Sequence, residues 1–214
     1  MRIGRSDSRS AGTRSASTSK LQPEHCRRSS AHYATLQAAV TRSSDLRARN
    51  REATSVRYGL AVTIFLARHA HAGKRSEWVG DDQLRPLSPR GLLQAANLLD
   101  VIDDTPIGMI LSSPYVRCVQ TVEPLSASLG IPITPHDAFA EGASIDEAYA
   151  LLLALDEVDG LACSHGDLIP PLLKQLVADG MDTDGPLIDQ KGSIWVIETQ
   201  RGKPFQGRYH PPTA

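Results

Sequence analysis

A chain of 214 residues, 41% of them hydrophobic, is long enough for one or two domains and apolar enough to build a core. It contains no apolar run of about 18 residues and no signal-type h-region, so a membrane span is not expected. Its three cysteines, Cys26, Cys118 and Cys163, are odd in number and lack metal or redox spacing.

The net charge of -1 hides a split. Up to Tyr58 there are about 12 Lys/Arg against 4 Asp/Glu, and beyond it about 11 against 20. The front segment is rich in Ser and Arg, as in Arg14-Ser15-Ala16-Ser17-Thr18-Ser19 and Arg27-Arg28-Ser29-Ser30. It carries too little apolar surface to offset the entropy of ordering it. The expected organisation is therefore a disordered basic extension over residues 1–58, with a weak helix over Ser44–Thr54, followed by a single folded domain over 59–214. Three readings of the extension stay open. It has the composition of an organelle transit peptide. It could be a basic tail touching nucleic acid, although no aromatic-basic pattern supports that partner and none is expected. It could also be an over-extended gene start, with translation beginning at Val62; native peptides upstream of Val62 would exclude this.

The folded pattern opens with Val62-Thr63-Ile64-Phe65-Leu66-Ala67, which ends abruptly in Arg68-His69. A short β-branched and aromatic run reads as a buried strand of a parallel sheet. In such sheets ligands bind outside the carboxyl ends of the strands. Arginine offers a forked set of donors for phosphate, and histidine can be a nucleophile or a proton carrier. The following loop, Lys74 to Asp82, has two readings. Trp78 is a lid over the core in a solvated loop, or Lys74 and Arg75 form a rim that meets an anionic substrate.

Ser88-Pro89 opens a helix as N-cap and first residue, with Leu92, Ala95, Ala96 and Leu99 as its buried face. Asp103 to Pro106 ends it. Gly108–Leu111 is a second strand, and Ser113-Pro114 should cap the next helix, placing Arg117 about one turn in. Ile131–Thr134 is a third strand, followed by a loop with Glu141, a candidate general acid. Ser144 and Glu147 have capping-box spacing, with Ala148, Leu151, Leu152 and Leu155 on the helix that follows. A fourth strand, Gly160–Ser164, runs into His165-Gly166-Asp167. Asp167 is read first as the cap of a helix over Leu168–Ala178 and second as a proton donor. Gly192–Glu198 is a fifth strand, and Pro204–Tyr209 an edge strand. Cys118 and Cys163 fit buried free thiols in a reducing cytoplasm.

The strand ends thus collect Arg68, His69, Arg117 and His165, with Glu141 on a nearby loop. Such a group would form a positive pocket for a phosphoryl dianion. One histidine would attack phosphorus. The arginines and a protonated second histidine would spread the charge on the phosphoryl oxygens, and a carboxylic acid would protonate the leaving group.

Three ordered segments carry a resemblance: Leu66-Ala67-Arg68-His69-Ala70, Ser112-Ser113-Pro114 through Arg117 to Thr121, and Ser164-His165-Gly166. Between about Val62 and Glu198 the chain resembles the histidine phosphatase superfamily, with its phosphoglycerate-mutase-like fold. More narrowly it resembles SixA-type phosphohistidine phosphatases. It is more similar again to the phosphatase-like domain fused to some MutT-type Nudix hydrolases, through Lys74–Leu87 and Lys191-Gly192-Ser193-Ile194-Trp195-Val196. About 60 low-complexity residues are too few for the Nudix domain of such fusions.

The resemblance implies an α/β fold, three-layer α/β/α around a mostly parallel central sheet. It implies His69 as nucleophile, Arg68, Arg117 and His165 as phosphoryl ligands, and Glu141 as proton donor with Asp167 as the alternate. No cofactor and no metal are expected. The partner is a phosphorylated small molecule or phosphoprotein; protein phosphohistidine, nucleotides and small phosphate esters all remain candidates. The oligomeric state is not legible. Two rivals stay open: a non-catalytic module that binds a phosphorylated ligand, and a metal-dependent hydrolase using His69, His71 and His165.

Overall fold

The computed structural model describes residues 62–102 and 105–213. The extension expected over 1–58, its helix and Cys26 lie outside the described residues. The first strand, β1 (Val62–Arg68), occurs where the apolar run predicts it. Along the chain come α1 (Pro89–Ala96), α2 (Leu99–Ile102), β2 (Met109–Ser112), α3 (Val116–Leu129), β3 (Ile133–Pro135) and α4 (Ile145–Ala154). After them are β4 (Gly160–Ser164), α5 (Ile169–Ala178), β5 (Asp182–Thr183), β6 (Ile194–Gln200) and β7 (Lys203–His210).

The seven strands form one sheet in the order β3-β2-β4-β1-β6-β7-β5. β3, β2, β4 and β1 are mutually parallel, while β6 runs antiparallel to β1 and β7 antiparallel to β6. The registers Arg68 opposite Ser164 and Ser112 opposite Cys163 bring the ends of β1, β4 and β2 nearly level. Because β6 is antiparallel, it starts where those strands end, with Ile194 opposite Ala67. The turn before β6 therefore arrives at the same edge of the sheet.

Alternation along the strands divides the core into two faces. Phe65, Ala67, Ile110, Leu161, Cys163 and Ile194 share one face with Cys118, Val122 and Leu125 of α3 and with Leu98 and Ile102. Ile64, Leu66, Leu111 and Ala162 point the other way, where Leu151 and Leu152 of α4 and Leu172, Leu173 and Leu176 of α5 are buried. Full burial of each such side chain is worth about 1.5–3 kcal/mol. The result is three layers, α1 and α3 on one face and α4 and α5 on the other. No helix among the described residues is long and apolar enough to cross a membrane.

Several expected details are corrected. Ser88 does cap α1, its hydroxyl accepting the Gly91 amide, but the buried face is Gly91, Gln94, Ala95 and Leu98. Leu92 and Leu93 are exposed, as is Ala96. A Cβ at position 91 would lie 2.0 Å from the His71 carbonyl oxygen, so only glycine lets the helix approach so closely. Gln94 is buried beside it because its Oε1 accepts the His71 amide at 3.0 Å. α3 begins two residues later than its Ser113-Pro114 signal, with Tyr115 at the N-cap. Trp78 is not a lid over the core: it is exposed, and its indole N–H donates to the Asp81 carbonyl at 3.0 Å.

Candidate active site

His69 directly follows β1. Its amide donates to the Ser164 carbonyl at 3.0 Å, tying the end of β1 to the end of β4. Its Nδ1 lies 2.8 Å from the Ala70 carbonyl. A carbonyl can only accept, so Nδ1 carries the proton and Nε2 keeps its lone pair. The Ala70 amide in turn donates to Thr121 Oγ1 at 2.9 Å, and that hydroxyl donates to the Arg117 carbonyl at 2.6 Å. The loop leaving β1 is thereby held against α3.

His165 directly follows β4 and is buried, its ring edge-on to that of His69 with centroids 5.3 Å apart. Its Nε2 lies 2.7 Å from Ser113 Oγ. This is where the expected cap goes: the Ser113 hydroxyl serves His165 while accepting the Tyr115 amide at 3.3 Å. His165 Nδ1 lies 3.4 Å from both Glu141 Oε1 and Arg117 Nη2, an acceptor and a donor, so either neutral tautomer finds a partner.

Arg117 has no exposed surface, and its guanidinium bridges two carboxylates. Nη1 donates to the Asp82 carbonyl at 2.8 Å and lies 3.1 Å from Asp82 Oδ2; Nη2 donates to Glu141 Oε1 at 2.7 Å. The group also lies over the Tyr115 ring, 4.5 Å from its centroid. Arg75 meets the same two carboxylates, at 2.9 Å from Asp82 and 2.8 Å from Glu141. Arg85 donates from Nε to Asp82 Oδ1 at 2.8 Å and from Nη1 to the Ala72 carbonyl at 2.6 Å. The Arg85 hydrogen bond, with the charges of Arg117, Arg85 and Arg75, holds the Asp82 carboxyl below the usual range against the opposing effect of burial.

Arg68 donates to the Asp189 carbonyl and lies 3.2 Å from its carboxylate. The guanidinium is pressed on Gly166, where a Cβ would lie 2.4 Å from Nη2. The Nε atoms of Arg68 and Arg117 are both buried without a hydrogen-bond partner. Arg68, His69, Glu141, Gly166, Asp167 and Lys191 line a cavity of about 350 Å³, with Arg75 and Arg85 completing its wall.

Burial is the main force on both histidines. It pushes His69 down to about 2; the Ala70 hydrogen bond opposes this, and the charges of His165, Arg117 and Arg68 add to it. Burial, then Arg117, pushes His165 down to about 3. Burial thus favours the neutral form of both rings at pH 7, whereas the sequence leads one to expect a protonated His165. Below the unfolded value of about 6.5, the unfolded chain takes up two protons that the folded chain refuses. Their stabilising effect is complete above pH 6.5 and is lost as pH falls towards 3, at about 1.4 kcal/mol per pH unit for each ring. Urea unfolding between pH 6 and 4 should show a slope about 1 kcal/mol per pH unit shallower in His165→Asn than in the native chain. Equal slopes would show that His165 is not held neutral.

Two other residues differ from expectation. Lys74 is exposed, pairs with Glu77 at 3.0 Å and lies outside the cavity lining, because the Arg75–Glu77 3-10 turn carries it away. Asp167 does not cap α5, which starts after Leu168 without a side-chain cap; its Oδ2 accepts the Gly142 amide at 2.8 Å and anchors the loop bearing Glu141. His71 hydrogen-bonds Ser88 Oγ through Nδ1 at 2.7 Å and is not part of the cavity wall, and no group of three potential metal-ligating side chains occurs among the described residues. Arg85 and Lys191 line the candidate site, and Asp82 and Asp189 pair with its arginines; sequence reasoning gives none of the four a role there, Lys191 entering only through the segment of the resemblance. The alternating charges of Arg75, Asp82 and Arg85 are the one available signal for Asp82 and Arg85.

Residues 64–149 match the family model described as histidine phosphatase superfamily, branch 1. The chain is 29% identical over 155 residues to the 8-oxo-(d)GTP phosphatase of Mycolicibacterium smegmatis, covering 70% of this chain. It spans about half the length of that relative, 48%. Among solved structures, a protein assigned as the phosphohistidine phosphatase SixA of Nakamurella multipartitia superposes with a TM-score of 0.59 at 21% identity, over 73% of this chain and 99% of that one. The protein histidine phosphatase SixA in complex with tungstate superposes with a TM-score of 0.54 at 24% identity, over 71% and 96%. At such identities the structural likeness speaks for the fold.

Proposed function

We propose that this chain is a member of the histidine phosphatase superfamily, whose family model matches residues 64–149, and that it is a phosphatase working through a phosphohistidine on His69. The observation that carries this reading is the His69 ring: neutral, its Nδ1 proton tied to the Ala70 carbonyl, its Nε2 lone pair free, in a cavity wall shared with Arg68. Nε2 attacks phosphorus, the bond to the leaving group breaks, and the leaving atom takes a proton from a carboxylic acid. Water then attacks the phosphohistidine; its proton returns to that carboxylate and the N–P bond breaks. Arg68, Arg117 and His165 hold the phosphoryl oxygens, and the unpartnered Nε–H groups of the two arginines are donors suited to that anion.

Glu141 is the proposed acid. It lines the cavity and is held by Arg117 and Arg75, the groups for which a phosphoryl dianion competes. With an alkyl phosphate, whose leaving group needs a proton, Glu141→Gln should lower kcat about 10²- to 10⁴-fold and Asp167→Asn less than about tenfold. With p-nitrophenyl phosphate, whose leaving group departs as an anion, the Glu141→Gln loss should shrink. The reverse ranking would move the role to Asp167.

Candidate substrates are protein phosphohistidine, nucleotides and small phosphate esters. The activity of the mycobacterial relative, an 8-oxo-(d)GTP phosphatase, keeps nucleotides prominent. Buried free Cys118 and Cys163 suit a reducing compartment such as the cytoplasm. Rapid quenching during turnover should trap an acid-labile, base-stable phosphoryl group on His69. Turnover without a trapped phosphoenzyme and abolished by chelator would favour the metal-dependent alternative; binding of phosphate without turnover of any ester would favour the non-catalytic one.

A further inference from the structure

Of the charged groups that line the cavity, most are paired, while Asp167 accepts the Gly142 amide. Arg68 meets Asp189, Arg75 meets Asp82 and Glu141, and Arg85 meets Asp82. Lys191 lines the same cavity, and its ammonium has no carboxylate partner among the described residues. Burial above all, and then the charges of Arg68, Arg85 and Arg117, disfavour its protonated form. A cation held among cations is unfavourable unless an anion joins it.

The position of Lys191 is built into the backbone. The next residue, Gly192, donates its amide to the carbonyls of Arg68 and His69 at 3.2 and 3.1 Å, and the Ser193 amide closes the turn onto the Gln190 carbonyl at 3.0 Å. The lysine is thus fixed beside the nucleophile by the same antiparallel register that starts β6 at this edge. The phosphoryl group already has Arg68, Arg117 and His165 as ligands in the proposed mechanism. The cavity, about 350 Å³, falls within the size range of small-molecule sites.

We infer that Lys191 binds a second anionic group attached to the transferred phosphoryl group, so that the preferred substrates are phosphoanhydrides, meaning diphosphates and longer chains. The inference rests on the phosphatase reading for the chemistry after binding, but its test needs no turnover. Inorganic phosphate and pyrophosphate are titrated calorimetrically into the full chain, Lys191→Met, Lys191→Arg and Lys74→Met, with melting curves confirming that each is folded. The native chain should bind pyrophosphate at least about tenfold more tightly than phosphate, the scale of one charge-assisted contact. Lys191→Met should lose about tenfold for pyrophosphate and less than about threefold for phosphate, and Lys191→Arg should keep most of the preference.

Three outcomes overturn the inference. One is no preference for pyrophosphate in the native chain. Another is an equal loss for both anions in Lys191→Met, which would assign the lysine to the transferred phosphoryl group itself. The third is an equal loss of preference in Lys74→Met, which removes the same charge outside the cavity. Failure of the phosphatase reading would appear separately, as selective pyrophosphate binding without hydrolysis of any phosphoanhydride or phosphoester.

Discussion

His69→Ala should turn over p-nitrophenyl phosphate at no rate above background, a loss of at least about 10⁴-fold in kcat. Phosphate-monoester hydrolysis is among the slowest uncatalysed reactions, with enzymic accelerations up to about 10²¹, and in the proposed mechanism that acceleration runs through the covalent path. Water placed where the imidazole stood is a weaker nucleophile than the ring it replaces. The substitution is structurally mild. The ring's hydrogen bond runs to the carbonyl of the adjacent Ala70, and the His69 amide keeps its bond to Ser164. Phosphate affinity should therefore change less than about tenfold while kcat vanishes, the pattern of a group that acts in the transition state. Steady-state kinetics with phosphate inhibition separates the two quantities. A kcat within tenfold of the native chain would refute His69 as nucleophile.

The part of this site that is legible in the sequence is the part set by local interactions. β1 and β4 are continuous apolar runs ending in a charged or polar tip, and both occur as the pattern predicts. The ends of such strands locate Arg68, His69 and His165 without further information. Side-chain oxygens near helix starts are ambiguous for a physical reason: a hydroxyl or carboxylate serves whichever donor or acceptor the fold presents. Ser88 caps its helix, whereas Ser113 meets His165 and Asp167 meets Gly142, 25 residues away in sequence.

The buried face of α1 departs from the apolar pattern because hydrophobicity alone selects leucine. Close approach of the helix to His71 selects Gly91 and Gln94, leaving Leu92 and Leu93 in solvent. Burial strong enough to hold His165 neutral has no local signature. Nor does the set of ion pairs joining Asp82 to Glu141 through Arg75 and Arg117, whose partners lie up to 66 residues apart. In the sequence Lys191 stands out only as the first residue of the Lys191–Val196 segment of the resemblance, with no role attached; its place beside His69 depends on the antiparallel β6.

Arg117→Ala should both unfold more easily and lose activity, and the two losses have separable origins. The guanidinium is fully buried between Asp82 and Glu141, and removing one member of a buried charge group costs about 3–5 kcal/mol when the other is left uncompensated. Here the compensation is partial. Asp82 keeps Arg85 and Arg75, and Glu141 keeps Arg75, so the cost should lie near the low end, about 3 kcal/mol. Urea unfolding at pH 7 measures it. Arg117→Lys restores the charge but not the two-armed contact, and should recover more stability than activity.

The catalytic loss should reach about 10²- to 10³-fold in kcat, the usual effect of deleting a donor that stabilises transition-state charge. Removing Arg117 also removes the second-ranked force keeping His165 neutral, so the His165 pKa should rise towards its ordinary value. The acid-side loss of stability due to His165 still begins at the unfolded value. It should then end at a higher pH and be smaller in total than in the native chain, because the folded state refuses that proton less strongly. If Arg117→Ala leaves kcat within tenfold while lowering stability as expected, the guanidinium serves the ion-pair cluster alone, and the phosphoryl group is held by Arg68 and its neighbours in the cavity wall.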